Sequence, residues 1–198
     1  MGLWRRVFAA CYDRCSAGAE RAGLGAERDT LLANARGRVL EIGAGTGVNV
    51  DHYPPGADVV YTEPDAHMAR RLRNHGVEVV QAGAESLPFA DGSFDTVVST
   101  MVLCTVPDVP AALREVHRVL ASGGHLLFLE HVRGEPGSKL ARRQDRFHRP
   151  WKAIGCGCNC NRDLLAAIEG EFRVDDVRDE EWPYLGPLTP RVVVGSAS

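Results

Sequence analysis

The chain has 198 residues, of which 44% are hydrophobic and 25% charged, and a formal net charge of −3. That length suits one domain with extra elements at its ends, and it buries enough surface to fold without a disulfide or a metal. The mild acidity excludes nucleic acid as the main partner, because phosphate binding needs a basic face.

The first residues, "MGLWRRVFAACYD", lack an apolar run long enough for a signal peptide, and no stretch reaches the length of a membrane span. Arg6 stands where a myristoylation signal needs Ser or Thr. Leu3, Trp4, Val7, Phe8 and Cys11 recur on one helical face, with Arg5 and Arg6 turned away. A second short helix is predicted from Glu27 to Ala35. Residues 1–35 are therefore expected to form an N-terminal helical cap, either over the active site or in loose contact with a membrane surface.

From residue 36 onward, strand-like runs alternate with helical stretches. "RVLEIG" precedes a short helix, and "ADVVYTEP" precedes "AHMARRLRNHG". "VEVVQAG" and "FDTVVST" follow, then the helix "VPAALREVHRVL" and the strand "GGHLLFLEHV". Gly76 is expected to stop one helix, and the glycines of Ser122–Gly124 the next. The strands are apolar on both faces, as in a parallel sheet covered by helices. The fold class is therefore α/β, a doubly wound Rossmann-like sheet of seven strands with helices on both faces. Beyond Arg133 lies a basic helical stretch, then glycines and cysteines. This insertion, residues 134–160, is placed over the C-terminal edge of the sheet. Asn161 is the expected cap of a helix "RDLLAAIEG", and "EFRVDDV" and "PRVVVGSA" close the sheet as a hairpin-like pair.

The six cysteines form no recognisable disulfide framework, which points to a reducing, cytoplasmic setting. Cys156, Cys158 and Cys160, with His148 upstream, are spaced more tightly than common zinc pairs, so no metal is expected.

The glycines of "RVLEIGAGTGVN" are spaced G-x-G-x-G. A dinucleotide fingerprint would need glycine at Val48, and a P-loop would need a lysine, so both phosphate readings fail. Glu41, just before the turn, would repel a pyrophosphate and suits a ligand bearing an ammonium and a sulfonium. Glu63 ends the second strand, where this kind of fold places the acid that binds a ribose diol.

These residues, with "TEPD", "GAESLPFADGSFD", "LREVHRVL" and "SGGHLLFLE", resemble the class I S-adenosylmethionine-dependent methyltransferases from about Arg36 to Glu130. The resemblance implies S-adenosyl-L-methionine as cofactor and residues 36–198 as a methyltransferase domain. It implies that Gly43, Ala44, Gly45 and Gly47 let backbone approach the aminopropyl and ribose groups. Glu41 would orient the turn or the ammonium, and Glu63 would accept the ribose hydroxyls. Pro64 and Met68 would flank the adenine, Ala84 and Glu85 would lie at its edge, and Thr100 and Met101 would touch the methionine portion. Gly83 departs from the family, which commonly has Asp there. A narrower similarity, to the small microsomal-type thiol methyltransferases and their bacterial relatives, rests on Glu130–Val132, Gln144, Pro150–Trp151 and the stretch Gly157, Cys158, Asn159 and Arg162. It implies a small, lipophilic acceptor, with a thiol as one candidate.

Met101, Val102, Leu103 and Val106 offer an apolar lining for such an acceptor. His131 is the candidate catalytic base. The alternative acceptors are a quinone, a phenol or a lipid. The non-enzyme alternative is a protein that binds cofactor without turnover. A monomer and a homodimer are equally compatible with the sequence.

Overall fold

The computed structural model describes residues 2–198. Strands β1 (Arg38–Ile42), β2 (Asp58–Thr62), β3 (Val79–Val80), β4 (Phe94–Thr100), β5 (Leu120–His131), β6 (Val174–Glu181) and β7 (Arg191–Ala197) form one sheet in the order β3-β2-β1-β4-β5-β7-β6. The first five strands run parallel, and β7 lies antiparallel between β5 and β6. Val39 to Ile42 of β1 are all buried, as expected of a strand covered on both faces. The crossover to β4 on the other side of β1 makes the switch point at which doubly wound sheets bind ligands.

Among the described residues six α-helices accompany the sheet: α1 (Gly2–Ala19), α2 (Gly25–Leu32), α3 (Ala66–Leu72), α4 (Val109–Val119), α5 (Lys139–Ile154) and α6 (Leu164–Glu169). On one face, Leu113 and Val116 of α4 and Ile168 of α6 join Leu40, Val97 and Phe128 in the larger core. On the other, Leu31 and Leu32 of α2 meet Val39, Val98 and Leu129. Each such aliphatic side chain contributes about 1.5–3 kcal/mol by leaving water. Asp65, Asp108 and Asp163 cap α3, α4 and α6 by accepting backbone N–H bonds.

Several local expectations are corrected. No helix follows β1: residues 45–49 form turns and a single 3-10 turn covers Val50–His52, because Gly43, Gly45 and Gly47 all take positive φ. Gly76 does stop its helix, at φ 80°. The glycines at 123 and 124 do not stop α4. That helix ends at Val119, and the glycines sit within β5, where the register with β4 shifts. The cap of α6 is Asp163, while Asn161 bonds Asp145 at 3.0 Å.

The N-terminal helix packs on a different face from the one its apolar spacing predicts. Leu3, Trp4 and Val7 are exposed, as is Cys11, whereas Ala9 and Ala19 are buried and Phe8 and Tyr12 half-buried. The reason is polar. Asp13 accepts a 2.6 Å bond from Thr46 and pairs with Arg71, and Arg5 pairs with Asp65. These ties turn the Asp13 side of α1 onto the glycine turn and α3. A π-turn at Glu20–Leu24, kinked at Gly23, then leads into α2.

Residues 134–160 contain α5 and close against the C-terminal ends of the central strands. Gln144, fully buried, accepts from Gly134 N–H at 2.8 Å and donates to the Val132 and Leu188 carbonyls. Asn159 and Arg162 bond the carbonyls of Cys104, Leu103 and Val106 in the loop after β4.

Candidate functional site

The glycine turn leaves β1 at its C-terminal end. Gly43 (φ 57°), Gly45 (φ 60°) and Gly47 (φ 94°) occupy the left-handed region that disfavours other residues. A Cβ at Gly43 would stand 2.5 Å from Val102 Cγ1, and one at Gly47 would stand 2.8 Å from Leu72 Cδ1. A Cβ at Gly45 would meet nothing nearer than 3.9 Å, so this glycine faces open space a ligand can fill. Ala44 is buried, and its N–H donates to the Thr62 carbonyl at 2.9 Å.

Glu63 stands beside this turn at the end of β2. Its two carboxylate oxygens accept from Gly45 N–H at 2.9 Å and Asp65 N–H at 2.7 Å. Burial raises its carboxyl above the ordinary value, and the two backbone N–H groups oppose that rise. Each carboxylate oxygen retains acceptor capacity for a further donor.

Glu41 is almost completely buried beneath the turn, and that burial pushes its carboxyl up to about 7. It accepts from Tyr53 Oη at 2.7 Å and Asn49 Nδ2 at 3.1 Å. Asn49 in turn accepts from Arg28 at 2.6 Å, and Arg28 also bonds Thr100 at 3.0 Å and both oxygens of Glu20. Sequence reasoning missed Arg28, Asn49 and Tyr53. Neither motif nor periodicity marks them, since each is a lone polar residue brought in from a different segment.

The remaining expected contacts divide. Met68 is half-buried on α3 and Pro64 is exposed beside Glu63. Ala84 is buried, but Glu85 reaches across to accept from Asp108 N–H at 3.4 Å, at the start of α4. Thr100 gives its hydroxyl oxygen to Arg28 and Asn49, which makes it a joint of the buried network. Met101 adopts φ 59° and donates its N–H to the Leu129 carbonyl at 2.8 Å. A positive φ in a non-glycine residue is a strained state that recurs at functional sites. Glu130 is fully buried, with Oε1 accepting from Ser99 Oγ and from the N–H groups of Val102 and Leu103. It thereby fixes the loop after β4, while its Oε2 has no partner among the described residues.

His131 lies at the end of β5 with Nε2 3.1 Å from Cys158 Sγ, and its buried Nδ1 has no partner among the described residues. Trp151 Nε1–H donates to the same sulfur at 3.2 Å. Cys104, from the loop after β4, completes a group of three. Cys156, Cys160 and His148, neighbours of Cys158 in the sequence, do not join this group. Cys160 faces the Gln144 carbonyl, and His148 bonds Asn159 at 2.9 Å.

Residues 40–128 match the family model described as a methyltransferase domain. Human thiol S-methyltransferase TMT1B is 40% identical over 149 residues, which cover 70% of this chain and 61% of that protein. The Hahella chejuensis ubiquinone/menaquinone biosynthesis C-methyltransferase UbiE is 41% identical over 114 residues, 52% of this chain and 46% of that protein. A SAM-dependent methyltransferase from Thermotoga maritima, described as a possible histamine N-methyltransferase, superposes with a TM-score of 0.73. That match covers 100% of this chain and 99% of the other at 24% identity, and it speaks to the fold. The chain spans 61% or less of the length of the curated relatives named here.

Proposed function

We propose that this chain, which shares the fold of the S-adenosylmethionine-dependent methyltransferases and matches a methyltransferase-domain model over residues 40–128, methylates a small lipophilic acceptor, with a thiol as the favoured class. One observation carries the acceptor reading. Of the residues behind the narrower similarity, Asn159 and Arg162 bond carbonyls of the apolar loop after β4 and Cys158 lies beside Cys104 of that loop, while Gln144 and Trp151 hold the insertion itself in place. The alikeness to TMT1B supports the same class.

The site suits the cofactor in its open glycine turn and its acid at the end of β2. S-adenosylmethionine supplies, when bound, an electrophilic methyl group on a sulfonium. Gly43, Ala44, Gly45 and Gly47 would admit its backbone-hugging portion, and Glu63 would accept the ribose hydroxyls. Glu41 would favour the ammonium side of the turn. Met68, Pro64, Ala84 and Glu85 are assigned to the adenine side and Thr100 and Met101 to the methionine side. Alignment of the acceptor is the chain's main contribution, and such positioning lowers a barrier by roughly 7–11 kcal/mol. His131, our candidate catalytic residue, would exchange a proton with the acceptor in company with Cys158.

We further assign residues 1–35 as a cap and 36–198 as the methyltransferase domain, with 134–160 on the acceptor side. Among the described residues no helix is long and apolar enough to cross a membrane. The test is incubation with methyl-labelled S-adenosylmethionine and matched alkyl thiols, alcohols, phenols and a quinol. Label on thiols alone is expected. Label confined to the quinol or phenols would move the protein toward the C-methyltransferase relatives. S-adenosylhomocysteine binding without transfer to any acceptor would favour a binding protein.

A further inference from the structure

Three segments far apart in sequence meet where the acceptor is placed, and each contributes a metal-ligating side chain. Cys104, His131 and Cys158 each offer one ligand atom, and the three atoms lie within 4.8 Å of one another. His131 Nε2 already stands 3.1 Å from Cys158 Sγ. Donor atoms around tetrahedral zinc, at about 2.0–2.3 Å from the ion, stand roughly 3.5 Å apart, so an ion requires a modest adjustment of these spacings.

The surroundings hold the group together independently of any ion. Asn159 bonds the Cys104 carbonyl through both its backbone N–H (2.8 Å) and its side-chain amide (2.9 Å), which ties the Cys158 turn to the Cys104 loop. Cys156 (φ 48°) and Gly157 (φ 107°) form that turn. Trp151 Nε1–H on Cys158 Sγ is the outer partner that metal-bound thiolates commonly have. Cys104 and His131 are at most 5% exposed, and Cys158 is half-buried.

We propose that Cys104, His131 and Cys158 bind a zinc ion whose fourth position takes the acceptor thiol. Two thiolates and one imidazole with an open position are a known catalytic zinc set. The inference rests on the thiol reading above and recasts His131 from proton acceptor to ligand. On loading, the two cysteines each release a proton to solvent and give a sulfur lone pair to the ion. The acceptor does the same at the fourth position: its S–H bond breaks, the proton leaves to solvent, and the sulfur keeps its electron pair. Nothing is oxidised. A coordinated thiol is deprotonated outright, which removes the need for a general base.

The test uses the full chain, stripped with a chelator and titrated with cobalt(II) and then zinc(II). One ion per chain is expected, with a thiolate-to-cobalt band in the near ultraviolet and the intense visible bands of a tetrahedral site. Cys158→Ser and His131→Asn should each weaken binding by more than about 100-fold, beyond what loss of an outer partner costs, and Trp151→Phe by about 10-fold. Cys156→Ser should bind as the parent does. A small alkyl thiol should shift the visible bands and the matched alcohol should not. Substoichiometric uptake by folded protein, uptake unchanged in Cys158→Ser, or no response to the thiol would overturn the proposal. So would recovery of Cys104 and Cys158 as a disulfide that takes up no metal. S-adenosylhomocysteine binding and thiol methylation are read on the same sample. If both persist without metal, the zinc proposal alone fails. If metal and thiol bind without methyl transfer, the earlier reading fails instead.

Discussion

The buried carboxyl of Glu41 gives a quantitative handle on the floor of the site. Replacing it by Gln keeps the shape and removes the titration. Folding raises this carboxyl from 4.5 to about 7, chiefly by burial, against the donors Tyr53 and Asn49 and the Arg28 charge. The folded chain therefore holds the proton more tightly than the unfolded chain. The resulting stabilisation is complete below the unfolded value near 4.5 and is lost as pH climbs through about 7. At about 1.4 kcal/mol per pH unit, the loss is about 3 kcal/mol. Urea unfolding of the parent and Glu41→Gln at intervals from pH 4.5 to 8 measures it, since other titrating groups cancel in the difference. The parent should fall by about 3 kcal/mol relative to the variant across that range, with the slope flattening above pH 7. Parallel stability curves would refute the burial argument.

A bound ammonium near Glu41 favours its charged form, so S-adenosylhomocysteine should bind more tightly as pH rises through 7 and release a proton below it. Calorimetry in buffers of different ionisation enthalpy reads this, and Glu41→Gln should abolish it. Glu63→Gln should weaken the same ligand by about tenfold to a hundredfold, the range of one charged hydrogen bond, with little change in circular dichroism. Gly43→Ala should unfold more readily than Gly45→Ala, because only its Cβ meets Val102. Gly45→Ala should retain more of its melting temperature yet still lose ligand affinity. Arg28→Met leaves Asn49 and Glu20 without their cation and should cost about 3–5 kcal/mol, read by urea unfolding.

The sheet was legible because its strands are apolar on both faces, and the parallel class follows from that pattern. The glycine turn and Glu63 were legible because their spacing along the chain mirrors their meeting in space. Glu41 was singled out, but the network holding it was not. Arg28, Asn49, Tyr53 and Thr100 converge through tertiary contacts that leave no local signature. The cysteines show the same limit. Their spacing gave no sign of a set, because the turn at Cys156–Gly157 delivers Cys158 to Cys104 and His131, which lie far away in the sequence. The N-terminal helix was misread in orientation, since periodicity reports an apolar stripe and not which polar groups await the other side.

That helix also sets a clock. α1 is latched to the glycine turn by Asp13 on Thr46 and to α3 by Arg71 on Asp13 and Arg5 on Asp65. On the cap reading proposed above, exchange of a molecule seated in the turn is linked in time to the release of α1. Both ion pairs are solvent-accessible, each holds with at most about 1 kcal/mol, and dissolved salt weakens them. Ionic strength thus becomes a control on residence time. Departure of a spent ligand should quicken as salt rises, while the sheet beneath, held by burial, keeps its shape.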